Sequence, residues 1–433
     1  MSVAVVIRDT KTAHHAMCVL TGTLRADVRT REIPIVFADG GDDLDGAIDR
    51  ALGVADTVLC LWSFYSTELE DALSARGEMR PRGERVVHVA GGVHATAEPA
   101  ETLAAGFDLV ALGEGERTIV DLVLAVEQGR DRRRVQGLGW LDDLGSYRSS
   151  GAGARIQLDD FPAHNAQDTR FCPIEITRGC VYACRFCQTP YVFKARFRHR
   201  SVENVRDHVR AMRGAGLPYV RFLSPTSLSY GATGTEVNLE AIEALLAGVR
   251  EEAGPAAKIF FGTFPSEVRP EHVTDEVLRV MRRYVNNDNI VIGGQSGSER
   301  VLASSLRGHD VADVVRAVEA AVRWGFRPNV DMLFGLPGED AEDRESTREL
   351  MTRLVELGGR VHSHTFLPLP GTPLAAAPGG QVDAELRRDL ELYEARGRSY
   401  GSWRTQIISA ERLSARRQNR TFARPRRLAK DEG

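Results

Sequence analysis

Short apolar runs alternate with amphipathic stretches along almost the whole chain, and that alternation leaves few folds open. In the first part the runs are "VAVVI" (3–7), "IPIVFAD" (33–39), "TVLCLWS" (57–63), "RVVHVAG" (85–91) and "DLVALG" (108–113). Segments of helical periodicity such as "DLDGAIDRALGVA" and "ERTIVDLVLAVEQG" separate them. Runs that are apolar throughout suit strands covered on both faces. Residues 1–130 are therefore expected to fold as a Rossmann-like, doubly wound parallel α/β sheet.

Residues 131–170 mix charge runs, Gly and Ser without periodicity and are expected to be a linker with room for a short hairpin. A second series follows: "CPIEIT" (172–177), "YVRFLS" (219–224), "KIFFGTF" (258–264), "NIVIGGQ" (289–295), "PNVDMLFG" (328–335) and "VHSHTFLP" (361–368). Six βα units predict a partial (β/α)6 barrel of the TIM type over 171–375, open because eight units close the common form. Residues 376–433 are expected to be a short helical extension, "VDAELRRDLELYEARGRSY", with an Arg-rich tail. Two domains also suit a length of 433 residues, which exceeds what one core ordinarily holds.

The apolar runs are too short to cross a bilayer and the N-terminus shows no secretory pattern, so a cytoplasmic protein without a membrane partner is expected. A net charge of −4 gives no global attraction to nucleic acid. The basic tail at 403–427 is a candidate contact for RNA or an anionic substrate, with a solvated or packed terminus as the simpler reading.

Of six cysteines, three crowd into "ITRGCVYACRFCQTP": Cys180, Cys184 and Cys187, spaced C-x3-C-x2-C. Four thiolates complete a zinc or iron–sulfur site. Cys18, Cys60 and Cys172 sit in or beside predicted strands and helices and read as small buried hydrophobes. Three thiolates leave one iron of a [4Fe–4S] unit open to a further ligand. The triplet follows the first barrel strand, where catalytic groups of such barrels stand.

With Phe186 before the last cysteine, this triplet resembles the signature of the radical S-adenosylmethionine (SAM) superfamily, and "EITRGC" and "CQTP" resemble its flanks. "GGQSGSERVL", "RGHDVADVVRAVEAAVRWGFRPNVDMLFGLPGE" and "FLPLPGTPL" resemble its later segments in order. The resemblance implies a [4Fe–4S] cluster on the three cysteines, with SAM on the open iron. It places Phe186, Gln295 and Ser296 at SAM, Ser266 or Glu267 at the ribose, and Leu367 and Pro368 at the adenine. Arg269 would take the carboxylate, since a guanidinium grips a carboxylate bidentately. One departure stands out: the loop "LSPTSLSY" (223–230) lacks the acidic group many members use for the SAM amino group. Main-chain carbonyls or the hydroxyls of Ser224 and Thr226 would have to replace it.

In the first domain, "VAGGVHATAEPAETLAAGFD" (89–108) and "ALGEGERTIVDL" (111–122) put glycines at strand ends ahead of helices, where backbone can approach a ligand. No G-x-G-x-x-G is present, which discounts NAD. These loops resemble those of cobalamin-binding domains fused to radical SAM barrels. The resemblance places Gly91, Gly92, His94, Gly113, Glu114, Gly115 and Glu116 around the nucleotide tail, with Ser63 and Tyr65 beside it. D-x-H-x-x-G is missing; His14 and His15 are expected on a helix surface, leaving the cobalamin without a histidine ligand. His362 and His364 alternate with apolar neighbours and are candidate acid–base groups facing the barrel interior.

The resemblance therefore implies a cobalamin-dependent radical SAM methyltransferase. It would act on an unactivated carbon of a small molecule or peptide through methylcobalamin and a 5′-deoxyadenosyl radical, with an external electron donor such as flavodoxin or ferredoxin. A cyclase, oxidase or rearrangement enzyme with the same cofactors is the first alternative. Modification of transfer RNA is weaker, because the short tail leaves little for an RNA-binding domain. A non-catalytic sensor is weakest. No motif identifies the substrate.

Overall fold

The parallel strands of the first sheet lie in the order β2-β1-β3-β4-β5, so the chain reverses its direction of winding between β1 and β3. The structure, a computed structural model, describes residues 1–39, 43–194 and 196–422. These strands are β1 (Val3–Asp9), β2 (Ile35–Asp39), β3 (Thr57–Ser63), β4 (Val86–Gly91) and β5 (Leu109–Ala111). Helices α1 (His14–Ala26), α2 (Leu44–Leu52), α3 (Leu69–Gly77), α4 (Gly92–Ala97), α5 (Pro99–Ala104) and α6 (Glu116–Glu127) connect and follow them. Side chains of β1 alternate between two cores: Val3, Val5 and Ile7 meet α1 and α6, while Ala4 and Val6 meet α2. This is why the runs are apolar at every position, as a doubly covered sheet demands.

The segment expected as a linker with a short hairpin builds the edge of that sheet. Its hairpin, β6 (Leu138–Leu141) and β7 (Tyr147–Ser149), continues antiparallel from β5. Leu138 is fully buried and Trp140 packs against the same core, so the two strands add apolar contacts as well as hydrogen bonds.

The second unit begins with β8 (Ile174–Glu175) and the short antiparallel pair β9 (Thr177–Arg178) and β10 (Arg198–His199), flanking α7 (Thr189–Val192). Helix–strand units follow: α8 (Val202–Gly214), β11 (Tyr219–Leu223), α9 (Leu239–Ala253), β12 (Lys258–Phe260), α10 (Asp275–Tyr284) and β13 (Asn289–Gln295). After α11 (Glu299–Ser304) and α12 (Val311–Arg323) come β14 (Arg327–Phe334), α13 (Ala341–Glu356) and β15 (Arg360–Thr365). All six principal strands run parallel, in two ladders, β8-β11-β12 and β13-β14-β15. An isolated parallel bridge between Val268 and Ile292 joins the ladders, because the chain after β12 turns into a glycine- and proline-bearing loop. Reciprocal Asp310–Asp313 and Asp340–Asp343 capping boxes start α12 and α13, each box worth about 1 kcal/mol.

The extension departs from expectation in one place. Helix α14 (Ala384–Ala395) stops short, and residues inside the predicted helix form β16 (Ser399–Gly401), a seventh parallel strand beside β15. Gly401 explains the choice: its φ is 143° and an added Cβ would lie 2.2 Å from the Ser363 carbonyl oxygen. The last helix, α15 (Trp403–Phe422), buries Trp403 and Ala410, and Arg416 pairs with Glu70 and Glu101 of the first domain. The tail is thus anchored at Trp403, Ala410 and Arg416, and residues 423–433 lie outside the described residues. No described helix is long and apolar enough to cross a membrane.

Candidate functional site

A cavity of about 870 Å³ opens where the carboxyl ends of the first sheet meet the carboxyl ends of the barrel strands. From the first domain it is lined by Ser63, Tyr65, Gly91, Gly92 and the run Gly113–Glu116, and from the barrel by Ser224, Ser266, Glu267, Asp331, His362 and His364. It lies over the point where the strand order reverses, the usual ligand crevice of an open α/β sheet.

Glycine makes the first-domain wall possible. Gly92 has φ 88° and a Cβ there would sit 2.8 Å from Ser63 Oγ; Gly113 has φ 83°. Of the residues expected to wrap a nucleotide tail, His94 is the exception. It is 1% exposed, bonds Ser66 Oγ at 3.0 Å, and does not reach the cavity. Glu114 and Glu116 line the cavity but their carboxylates are engaged: Glu114 meets Arg198 at 2.6 Å and Arg178 at 3.3 Å, and Glu116 meets Arg178 at 2.7 Å. Glu175 also holds Arg178, at 2.6 Å. The barrel arginines hold the Glu114 carboxyl below its ordinary range against the opposing effect of burial.

Of the two helix histidines only His15 departs from a surface placement, by lining the cavity, whereas 36% of the His14 side chain stays exposed. His14 is clamped between Asp9, at 2.9 Å, the Phe171 carbonyl and Cys18 Sγ, and the Asp9 hydrogen bond raises it to about 10. His15 lines the cavity, but its Nε2 is shielded and without a hydrogen-bond partner; burial lowers its pKa and keeps the ring neutral.

The cysteine loop follows β9. Gly179, φ 81°, passes so close to the Arg196 carbonyl oxygen that a Cβ would lie 2.1 Å away, and this sets the turn into Cys180. Cys180, Cys184 and Cys187 are free thiols, Cys184 buried and the others partly so. Burial pushes the Cys180 thiol up to about 12, so a positive ion is needed to hold it as thiolate. The donor set fits an iron–sulfur cluster: three soft ligands on one loop and an arginine beside one of them. That arginine, Arg307, is 4% exposed, lies 3.7 Å from Cys184 Sγ and donates to the Gly293 carbonyl at 2.9 Å.

Arg307 was not anticipated. Arg269, assigned above to the SAM carboxylate, is buried over the Tyr182 ring at 3.5 Å and held by Glu271 and the Arg307 carbonyl, away from the cavity. Arg307 instead faces Glu267, at 3.7 Å. Gly293 lets these groups converge: a Cβ there would lie 2.3 Å from Arg307 and 3.1 Å from Glu267.

The remaining SAM candidates divide. Ser224 and Ser266 line the cavity and brace each other, the Ser224 amide donating to Ser266 Oγ at 3.0 Å. Gln295 is 6% exposed with φ 65° and an unpartnered Oε1. Thr226 Oγ1 is likewise buried and unpartnered. Ser296 is satisfied within the fold by Thr347 and the Ser298 amide. Phe186 packs with Leu336 and Phe366. Leu367 and Pro368 lie on the loop after β15, which Gln188 of the cysteine loop tethers through the Pro370 carbonyl at 2.8 Å.

Sequence reasoning also missed Asp331 and Tyr400. Asp331 Oδ1 lies 2.6 Å from His362 Nδ1, and His364 Nε2 lies 3.2 Å from the same nitrogen. Tyr400 of β16 stacks on His362 with centroids 4.4 Å apart. The alternation of Asp331 with apolar neighbours in "NVDMLF" was the available signal.

Residues 174–351 match the family model of the radical SAM superfamily. The tRNA-2-methylthio-N(6)-dimethylallyladenosine synthase of Geobacter sulfurreducens is 30% identical over 276 residues, 62% of this chain and 55% of that protein. An uncharacterized methyltransferase of Pyrococcus horikoshii is 24% identical over 303 residues, 67% and 62% of the two chains. The chain therefore spans a little over half the length of these curated relatives. Among solved structures, the radical SAM methyltransferase TsrM of Kitasatospora setae, with cobalamin and a [4Fe–4S] cluster bound, superposes with TM-score 0.67 at 16% identity, covering 87% of this chain and 78% of that one. The cobalamin-dependent radical SAM enzyme OxsB gives TM-score 0.65 at 16% identity over 92% of this chain and 62% of that one. At such identity the likeness is one of fold, and it extends across both domains.

Proposed function

We propose, from the radical SAM domain at residues 174–351, that this protein is a cobalamin-dependent radical SAM enzyme that methylates an unactivated carbon of a small molecule or peptide. The observation that carries the reading is the single cavity shared by the glycine loops of the first sheet and the strand ends of the barrel, with the cysteine loop at its border through Gly179 and Thr189.

Cys180, Cys184 and Cys187 hold the cluster in this reading. Gly91, Gly92, Gly113 and Gly115 let main chain lie close against the flat face and tail of cobalamin. When bound, cluster and SAM supply a carbon-centred radical and cobalamin supplies a methyl group; the protein's part is to position and to exclude water. Arg307 neutralises charge at Cys184 and presents a cation to the SAM carboxylate. Ser266, Glu267 and Asp331 offer acceptors to its hydroxyls. Glu114, Glu116, Glu175 and Arg178 fix the domains against each other so that the two halves of the cavity stay in register.

The test is anaerobic reconstitution with iron, sulfide and cobalamin, reduction, addition of SAM, and quantitation of both SAM products. S-adenosylhomocysteine formed alongside 5′-deoxyadenosine supports methyl transfer. 5′-Deoxyadenosine alone moves the reading to a cyclase, oxidase or rearrangement enzyme, and neither product overturns it. Modification of transfer RNA is the second reading, favoured by the relatives that are a tRNA-2-methylthio-N(6)-dimethylallyladenosine synthase and a tRNA methylthiotransferase. RNA retained through purification, seen as excess ultraviolet absorbance, would select it.

A further inference from the structure

Asp331, His362 and Tyr400 stand side by side on three neighbouring parallel strands, paired in register across β14, β15 and β16. All three line the cavity, and alternation along β15 puts His364 on the same face. The shortest contact in the group decides where its hydrogen sits. Asp331 Oδ1 lies 2.6 Å from His362 Nδ1, and a bare Nδ1 would set its lone pair against a carboxylate at that distance. Nδ1 therefore carries the hydrogen and donates it to Asp331. His364 Nε2 lies 3.2 Å from the same nitrogen, but one N–H makes one strong bond, and the shorter, charge-assisted one prevails. His364 presents a hydrogen of its own. The Thr365 amide donates to Gln406 Oε1 at 2.8 Å, so the Gln406 NH2 is what meets His364 Nδ1, at 3.2 Å. The His364 hydrogen is then on Nε2, and a ring nitrogen of His364 lies within 4.8 Å of an Asp331 oxygen. Burial pushes the Asp331 carboxyl up to about 6, which still leaves an anion at neutral pH for these N–H groups to face.

A neutral imidazole with its hydrogen on Nδ1 has a bare lone pair on Nε2. Among the described residues no polar group bonds His362 Nε2; both hydrogen bonds of the ring are made at Nδ1. The side chain is 20% exposed and lines the cavity, so that lone pair is open to a ligand. Tyr400, stacked at an interplanar angle of 13° with centroids 4.4 Å apart, holds the ring in its plane. Burial lowers the His362 pKa, which keeps the ring neutral until a proton is handed to it. A carboxylate that fixes the tautomer and can neutralise an imidazolium is what a histidine needs to work as a general base.

We propose that His362 Nε2 is the cavity's proton acceptor, held in that tautomer by Asp331, and that it takes the hydrogen of a substrate hydroxyl. His362 is the catalytic residue; Asp331 positions it. In the step the O–H bond breaks, its hydrogen passes as a proton to Nε2, its electron pair stays on the oxygen, and Asp331 neutralises the imidazolium. The proton returns to the oxygen as the product leaves, so nothing is oxidised or reduced in the transfer. Negative charge growing on the oxygen weakens the C–H bond of the carbon that bears it. The substrate class is therefore an alcohol whose hydroxyl stands on the carbon that reacts. That adjacency rests on the function proposed above; the base does not.

The test is a ring-nitrogen NMR experiment at neutral pH on the full chain labelled with 15N-histidine, with signals assigned through His362→Gln and His364→Gln. The expected result is a neutral His362 with its hydrogen on Nδ1 and a bare Nε2. Phenol is the probe for the hydroxyl. It should shift the His362 Nε2 signal while Nδ1 keeps its hydrogen, and anisole, the same ring without a donor, should not. Asp331→Asn can turn its NH2 toward Nδ1, so it should move the His362 hydrogen to Nε2 in part or in full and weaken the response to phenol. A His362 that carries its hydrogen on Nε2 in the unaltered protein overturns the base, as does no response to phenol or an equal one to anisole. Signals of both rings that change on adding a chelator also overturn it, since a divalent cation would then sit among Asp331, His362 and His364. A tautomer unmoved by Asp331→Asn overturns the part given to Asp331. None of these readouts needs SAM or cobalamin, so failure here leaves the methyltransferase reading standing, and absence of SAM cleavage leaves the His362 result standing.

Discussion

Glu114 Oε1 lies 2.6 Å from Arg198 Nη2, joining the loop after the last parallel strand of the first sheet to the short strand that follows the cysteine loop. The Ile156 amide donates to the same carboxylate at 3.2 Å, and Arg178 stands 3.3 Å away. Glu114 is 7% exposed and both arginines are largely buried, so removing the acid strands two cations out of water. Glu114→Ala should therefore cost about 3 kcal/mol, the usual penalty for breaking a buried pair from one side. Thermal melting of the full chain reads this, with proteolysis at residues 150–170 reporting whether the domains part. A variant that melts with the parent would show the network to be idle.

Gly92→Ala should damage the first-domain wall by a different route. The position needs φ 88°, which costs an L-residue roughly 1–2 kcal/mol, and the new methyl would press on Ser63 Oγ at 2.8 Å. The expected outcome is a modest loss of stability together with weaker retention of cobalamin on gel filtration. Gly106→Ala is the control: φ is 97° there but no atom lies within 4 Å, so only the stability loss should appear. Equal cobalamin retention by the two variants would contradict the placement of the loop at the ligand.

The strand series and the cysteine triplet were legible because each obeys a local rule: doubly buried strands are apolar at every position, and three thiolates within one loop have few other uses. The long-range pairings were not. "GEGE" reads as a ligand loop, and only the fold reveals that Glu114 and Glu116 face Arg178 and Arg198 across the domain junction. Arg269 was legible as a basic residue near a strand end; that the Tyr182 ring and Glu271 engage its guanidinium was not. The strand β16 was hidden at the end of the predicted helix, because what defines it is pairing with β15 and the close approach at Gly401, both distant in sequence.

Glu267 should give the protein a measurable pH dependence. Burial lifts its carboxyl from the ordinary 4.5 to about 7, so the folded state keeps a proton that the unfolded chain releases. The stability this confers is complete below about 4.5 and is lost as pH rises toward 7. Glu267→Gln cannot ionise and should lose less stability between pH 5 and 8 than the parent does. Because the carboxylate opens onto the cavity, the difference should be about 1–2 kcal/mol rather than the full linkage value. Urea unfolding at pH 5 and pH 8 decides it, and parallel losses in both proteins would show the carboxyl to be ordinary.

Six cysteines allow more than one metal assignment, and alanine substitution separates them. Cys18 and Cys172 interact with each other, and Cys18 also meets His14 at 3.4 Å, an arrangement that could pass for half a metal site. Cys172 nevertheless donates to the Ala163 carbonyl at 3.3 Å and is 6% exposed, which is the behaviour of a packed thiol. Cys172→Ala should therefore keep the iron and sulfide content of the reconstituted protein and its reductive cleavage of SAM, with a small loss of stability. Cys180→Ala, Cys184→Ala and Cys187→Ala should each lose the visible iron–sulfur absorption and reduce SAM cleavage to background, since no other described thiol stands beside the loop to replace them. Iron bound equally by all four variants would place the metal elsewhere. Iron lost from Cys172→Ala as well would move the site toward the junction of the two domains.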